Sequence, residues 1–237
     1  MVGVISGLRA DTISDNLSRV RAELSAAVER STVARARQDG REVTVLAATK
    51  YVSLQDLPVL SDAGVRLVGE NRAQDLQAKV TAHGELFVWH FIGALQSRRV
   101  RLIVPHVQLI HSVASDSALR ELERHRALAH PDLRVLVEVN VAGEAGKAGV
   151  APEELDAFIA RSPVPVVGLM TMPPLSLQPD DSRVWFAALR ELADERGLEH
   201  LSMGTSQDYI VAVEEGATIV RIGTRLYHPQ PLLDSRD

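Results

Sequence analysis

Eight short apolar runs alternate with helix-patterned segments along this chain, and that alternation constrains its fold more than any other feature. The runs are 43–49, 65–69, 87–93, 107–113, 133–141, 164–171, 199–204 and 218–223. Helical segments are predicted at 53–63, 70–82, 94–102, 116–128, 152–161, 181–196 and 205–216. Strands joined through helices pair in parallel, because a parallel connection must cross back over the sheet. Eight such units in about 180 residues predict a closed (β/α)8 TIM barrel rather than an open sheet. Ahead of them, 12–38 is expected to be one long amphipathic helix, with Ile13, Leu17, Val20, Leu24 and Val28 at helical spacing. The 237 residues are expected to form one α/β domain, with the N-terminal helix in 1–42, the barrel in 43–227 and a tail in 228–237.

Composition removes several classes of function. There is no cysteine, which excludes disulfides, thiolate metal sites and cysteine nucleophiles. A net charge of −5 argues against a nucleic-acid or anionic-membrane partner. The first residues lack a charged start followed by a long apolar core, and no apolar run approaches the roughly 18 residues of a membrane span. Cytoplasm is the expected location.

The barrel frame gathers scattered residues at one mouth, since every strand's C-terminal end faces the same way. Lys50 follows the first run, Val43-Thr-Val-Leu-Ala-Ala-Thr49, and Ser53 and Asp56 behind it have capping-box spacing. Lysine is the side chain that forms Schiff bases with carbonyl compounds. In the eighth run, parity puts Ile219, Arg221 and Gly223 on one face and the aliphatic Val220 and Ile222 on the other. Arg221 is therefore expected to point into the barrel, where a charge is costly unless paired. Its partner is either an inward carboxylate, Glu138 being the candidate, or a bound ligand. Gly223-Thr224 and Met203-Gly-Thr-Ser206 end the eighth and seventh runs, with Thr205 and Asp208 again at capping-box spacing. The loops after those strands are a recurrent phosphate site in barrels, where glycines admit close approach and hydroxyls and free N–H groups donate.

A Schiff-base lysine, a phosphate cup and an inward arginine together describe pyridoxal 5′-phosphate (PLP). The same motifs carry a family resemblance. Ala48-Thr-Lys50, Gly69-Glu-Asn-Arg-Ala-Gln74, Trp89-His-Phe-Ile-Gly-Ala-Leu-Gln-Ser97 and Val139-Asn-Val with Lys147-Ala-Gly149 stand in order. Gly168-Leu-Met-Thr-Met172, Leu201-Ser-Met-Gly-Thr-Ser-Gln-Asp208 and Val220-Arg-Ile-Gly-Thr224 complete them. Over about 43–227 the chain resembles the pyridoxal phosphate homeostasis proteins, single-domain relatives of the alanine racemase N-terminal domain.

The resemblance implies that Lys50 forms the internal aldimine and that Ser206, Gly223 and Thr224 hold the phosphate. It implies that Arg221 faces the pyridine nitrogen while Asn71, Ile92 and Met203 line the ring. It further implies a monomeric carrier or buffer of PLP that serves amino-acid homeostasis without efficient catalysis, with apo PLP-dependent enzymes as recipients. A weak amino-acid racemase is the alternative, and a cofactor-free, aldolase-type Schiff-base barrel a more distant one. The chain departs from the family pattern at Arg98-Arg99, at Gly146 and Ala148 beside Lys147, and at Tyr227-His228, all expected to lie outside the cofactor shell.

Overall fold

The computed structural model describes residues 4–228. Its centre is a closed parallel barrel of β1 (Thr44–Ala48), β2 (Leu67–Glu70), β3 (Val88–Phe91), β4 (Leu109–Val113), β5 (Arg134–Glu138), β6 (Val166–Met170), β7 (His200–Thr205) and β8 (Ile219–Ile222), neighbours in sequence order. Closure is made by β1 against β8, with Thr44 beside Ile219 and Ala47 beside Ile222. The expected (β/α)8 architecture stands, with strands shorter than the apolar runs because the run ends serve as loops.

Alternation decides which side chains fill which space. Residues such as Val68, Phe91, Val137, Leu201 and Val220 face outward into a large core under the helices. Leu46, Leu109, Leu136, Met170 and Ile219 form a small apolar cluster within the barrel. The barrel interior also holds His90, His111, Ser202 and Arg221, all buried. This polar sector departs from the branched aliphatic layers usual in such barrels.

The N-terminal segment is two helices, not the single one expected over 12–38: α1 (Ala10–Arg30) and α2 (Thr32–Gln38). Ser31 breaks them. Its backbone is extended, and its hydroxyl accepts from the Ala34 amide and donates to the Glu214 carbonyl. A serine with local backbone partners favours capping over helix continuation. Ile13, Leu17, Val20, Leu24 and Ala27 form the buried face of α1.

Several connecting helices are shorter than expected. They are α3 (Leu57–Asp62), α4 (Ala73–His83), α5 (Val100–Ile103), α6 (Asp116–Arg124), α7 (Leu155–Ala160), α8 (Arg183–Asp194) and α9 (Tyr209–Glu214), and a further short helix, α10 (Thr224–Tyr227), follows β8. α1 packs on α9 and α10. Asn16 on α1 donates to the Leu226 and His228 carbonyls at 3.0 and 2.9 Å, fixing the chain as it leaves the barrel. The expected tail from 229 onward lies outside the described residues. Among the described residues no helix is long and apolar enough to cross a membrane.

Candidate functional site

A cavity of about 530 Å³ opens at the C-terminal mouth of the barrel. Its walls bring together Lys50, Asn71 and Ile92 from the β1, β2 and β3 ends. Beside them, across the β1–β8 seam, stand Ser206, Arg221, Gly223 and Thr224 from the β7 and β8 ends. Seven of the eight residues read from the sequence thus meet at one place.

Met203 does not join them. Its side chain is fully buried in the outer core, because in β7 Ser202 points inward and Met203 points to the helices. The alternation Leu201-Ser-Met203 already carries that signal. Tyr227 is a second correction. It was expected outside the cofactor shell, yet it lines the cavity and its hydroxyl donates to the Ala48 carbonyl at 3.1 Å. Burial pushes its pKa up, so the phenol stays a donor.

The chain has three lysines, and their surroundings differ. Lys79 is buried, with its ammonium 2.6 Å from Glu70 Oε2 and 2.7 Å from the Thr49 carbonyl. Lys147 pairs with Glu144. Lys50 is exposed at the cavity, 4.9 Å from the Tyr51 ring centroid, and makes no ion pair among the described residues. Glu70, at the end of β2, faces α4 and binds Lys79. Its second oxygen accepts the Asn71 amide at 2.8 Å. One buried ion pair therefore holds the backbone that leads into each of the first two mouth residues, Lys50 and Asn71.

Two glycines let the walls close. A Cβ on Gly93 would run into the Asn71 carbonyl. At Gly204, φ is +88° and a Cβ would sit 2.6 Å from the Ala212 side chain, so the turn out of β7 requires glycine. Beyond it, Asp208 Oδ1 accepts from the Thr205 amide at 2.7 Å and from its hydroxyl at 3.1 Å. α9 starts only at Tyr209, and α10 has four residues. Neither offers much of a macrodipole, so anion attraction at the cup falls to local hydroxyl and amide donors. The Gly223 amide donates to Ser206 Oγ at 3.1 Å, tying the two halves together and leaving the serine proton free to turn toward the cavity.

Arg221 enters from β8 as parity requires, but Glu138 is not its direct partner. Nη1 donates to the Ser202 carbonyl at 2.9 Å and to Ser202 Oγ at 2.7 Å. Nη2 donates to the Thr171 carbonyl at 3.0 Å. Burial lowers the guanidinium pKa to about 10, which leaves it charged at neutral pH. Glu138 also lines the cavity, and burial pushes its carboxyl up. Asn71 Oδ1 is buried and has no hydrogen-bond partner among the described residues. No group of three or more His, Asp or Glu among them is placed to hold a metal ion.

Beneath Arg221 lie His111 and His90, whose link sequence reasoning missed because strand parity gives a face and not a cross-barrel neighbour. Burial, with His200 adding a little, pushes His90 down to about 3. Burial likewise holds His111 well below the usual range, reinforced by His90, Arg221 and His200. Unfolded, both would take up protons near pH 6.5. Below that pH the unfolded chain binds more protons than the fold, so stability is full above pH 6.5 and falls as pH drops toward the folded values. Each histidine contributes a slope of about 1.4 kcal/mol per pH unit. Thermal unfolding followed from about pH 7 to 4.5 is expected to show a steep fall in Tm. A flat profile would contradict two neutral buried imidazoles.

Comparison with known proteins adds to this geometry. The family described as alanine racemase, N-terminal domain, matches residues 9–231. The pyridoxal phosphate homeostasis protein of Aquifex aeolicus is 41% identical over 224 residues, covering 90% of this chain and 96% of that protein. Its counterpart in Pseudomonas aeruginosa is 38% identical over 223 residues, covering 91% and 95%. The solved structure of PipY from Synechococcus elongatus with PLP bound has a TM-score of 0.74 and 30% identity, covering 91% of this chain and all of that one.

Proposed function

The chain belongs to the pyridoxal phosphate homeostasis family, built on the alanine racemase N-terminal-domain fold, and from that premise we propose that its barrel mouth binds PLP, which it carries and buffers without efficient turnover. The observation that carries this reading is the meeting around one cavity of a lysine without an ion pair among the described residues, an arginine held there by neutral acceptors, and a hydroxyl-lined cup. The residues fit the cofactor. Asn71 Oδ1 is an orphaned buried acceptor, and a phenolic hydroxyl is a donor for it. Ser206 and Thr224 supply hydroxyl donors for a phosphate, Ile92 an apolar wall, and Arg221 a donor for a ring nitrogen.

When bound, PLP supplies an aldehyde carbon for a Schiff base and an electron-withdrawing ring. The protein's own part is to place an amine and restrain that ring. Lys50 presents the amine. Arg221 only donates and keeps its proton, so a nitrogen facing it stays unprotonated and the ring withdraws electrons weakly. Racemisation would need a second acid/base group on the far side of the substrate carbon. Of the two tyrosines at the cavity, Tyr227 is held by Ala48 with its pKa raised, and the Tyr51 ring lies against the Lys50 ammonium. Neither is poised as that base. The carrier reading extends to a monomer in the cytoplasm that hands PLP to apo PLP-dependent enzymes.

The purified protein is expected to be yellow, with a visible band removed by borohydride. Added L- or D-alanine should be racemised slowly, and its Cα hydrogen exchanged slowly with deuterium from solvent. Efficient exchange and racemisation would convert the reading to an enzyme. A colourless protein that takes up no PLP, yet is trapped by borohydride with a sugar phosphate, would restore the aldolase-type reading.

A further inference from the structure

Arg221 begins a chain of hydrogen bonds that crosses the barrel interior. Its Nη1 lies 2.7 Å from Ser202 Oγ, which lies 2.8 Å from His111 Nδ1. His111 Nε2 is then 3.0 Å from His90 Nδ1. The links come from β8, β7, β4 and β3 in turn, and all four residues are buried. The other charged or titratable groups near this sector are Asp208 before α9, Glu138 on β5 and His200 on β7.

Counting protons gives the chain a direction. Ser202 Oγ accepts from a guanidinium, which has no acceptor of its own. Its single hydroxyl proton has one acceptor among the described residues, His111 Nδ1. His111 then carries its proton on Nε2 and donates to His90 Nδ1, and His90 carries its proton on Nε2. The reverse order would leave the proton of a fully buried serine without an acceptor, the costly case for a buried polar group. In the favoured order every link turns its acceptor end toward Arg221. Aligned bonds of this kind polarise one another.

We propose that Ser202, His111 and His90 are positioning residues for Arg221, a one-directional chain that holds the guanidinium at the cavity through neutral acceptors, with the carboxylates of Asp208 and Glu138 acting only from a distance. A carboxylate in the same place would neutralise the arginine and spend its donor strength. Neutral acceptors, Ser202 and Thr171 with the weak Met172 thioether, hold the two Nη groups and leave the positive charge for a ligand. The proposal rests on the reading of the mouth as a PLP site, with the ring nitrogen as the arginine's target.

Two measurements test it. In the cofactor-free protein, imidazole nitrogen-15 shifts at neutral pH are expected to show His111 and His90 both neutral with protons on Nε2. The opposite tautomers, or a charged ring, would overturn the chain, and this result needs no cofactor. In the second, Ser202→Ala is compared with the unmodified protein for PLP and for an analogue with CH in place of the ring nitrogen. PLP affinity should fall about tenfold and analogue affinity about twofold or less, because only the nitrogen uses the positioned donor. Equal losses for both would reduce Ser202 to a packing role and end the proposal. If the unmodified protein bound neither compound, the cofactor reading would fail, while the tautomers would still report on the chain.

Discussion

Replacing Lys50 by alanine is expected to abolish the borohydride-reducible visible band of the PLP-loaded protein while leaving the fold intact. Lys50 is exposed and packs in no core, so its loss creates no cavity. The effect should be complete because neither remaining lysine can substitute. Lys79 is buried with its ammonium committed to Glu70 and the Thr49 carbonyl, and Lys147 pairs with Glu144 and is not among the residues lining the cavity. Absorbance after reconstitution, with circular dichroism as the control for folding, reads both parts. A variant that kept the band at full occupancy would sink the assignment of Lys50 and redirect it to one of the other two.

The double change Ser206→Ala with Thr224→Ala should weaken PLP far more than pyridoxal, since only the phosphate uses those donors. Hydrogen bonds to a charged group are worth about 1.5–3 kcal/mol each. Some of that returns, because losing the Ser206 hydroxyl frees the Gly223 amide that now donates to it. A net loss of about 2–5 kcal/mol corresponds to roughly thirtyfold to several thousandfold in PLP affinity, with pyridoxal nearly unchanged. Titration of both compounds against the variant measures the ratio. Equal losses would place the phosphate elsewhere.

Much of this was legible from local pattern. Strand length, alternation with helices and the count of eight led to the barrel. Two-residue parity in 218–223 turned Arg221 inward, and glycine with hydroxyl residues after the last two strands marked the cup. Parity runs the other way at Met203, which only the family resemblance had placed at the ring: Ser202 points inward, so Leu201 and Met203 point to the helices. The helix break at Ser31 was less legible, because its cap competes with a sound amphipathic pattern and its hydroxyl's partner, the Glu214 carbonyl, lies across the fold.

Spacings of a few residues announced eight strand–helix units, an inward arginine and a polar mouth, because each is a local pattern. Which side chains meet is a property of the assembled fold. Ser202 reaches His111 across 91 positions of chain, Tyr227 reaches the Ala48 carbonyl across 179, and Arg221 finds backbone carbonyls and a serine where Glu138 had been the candidate. Contacts of that kind depend on how the strands stagger as the sheet closes on itself. Barrel closure is a collective property of all eight strands, so no single segment encodes it.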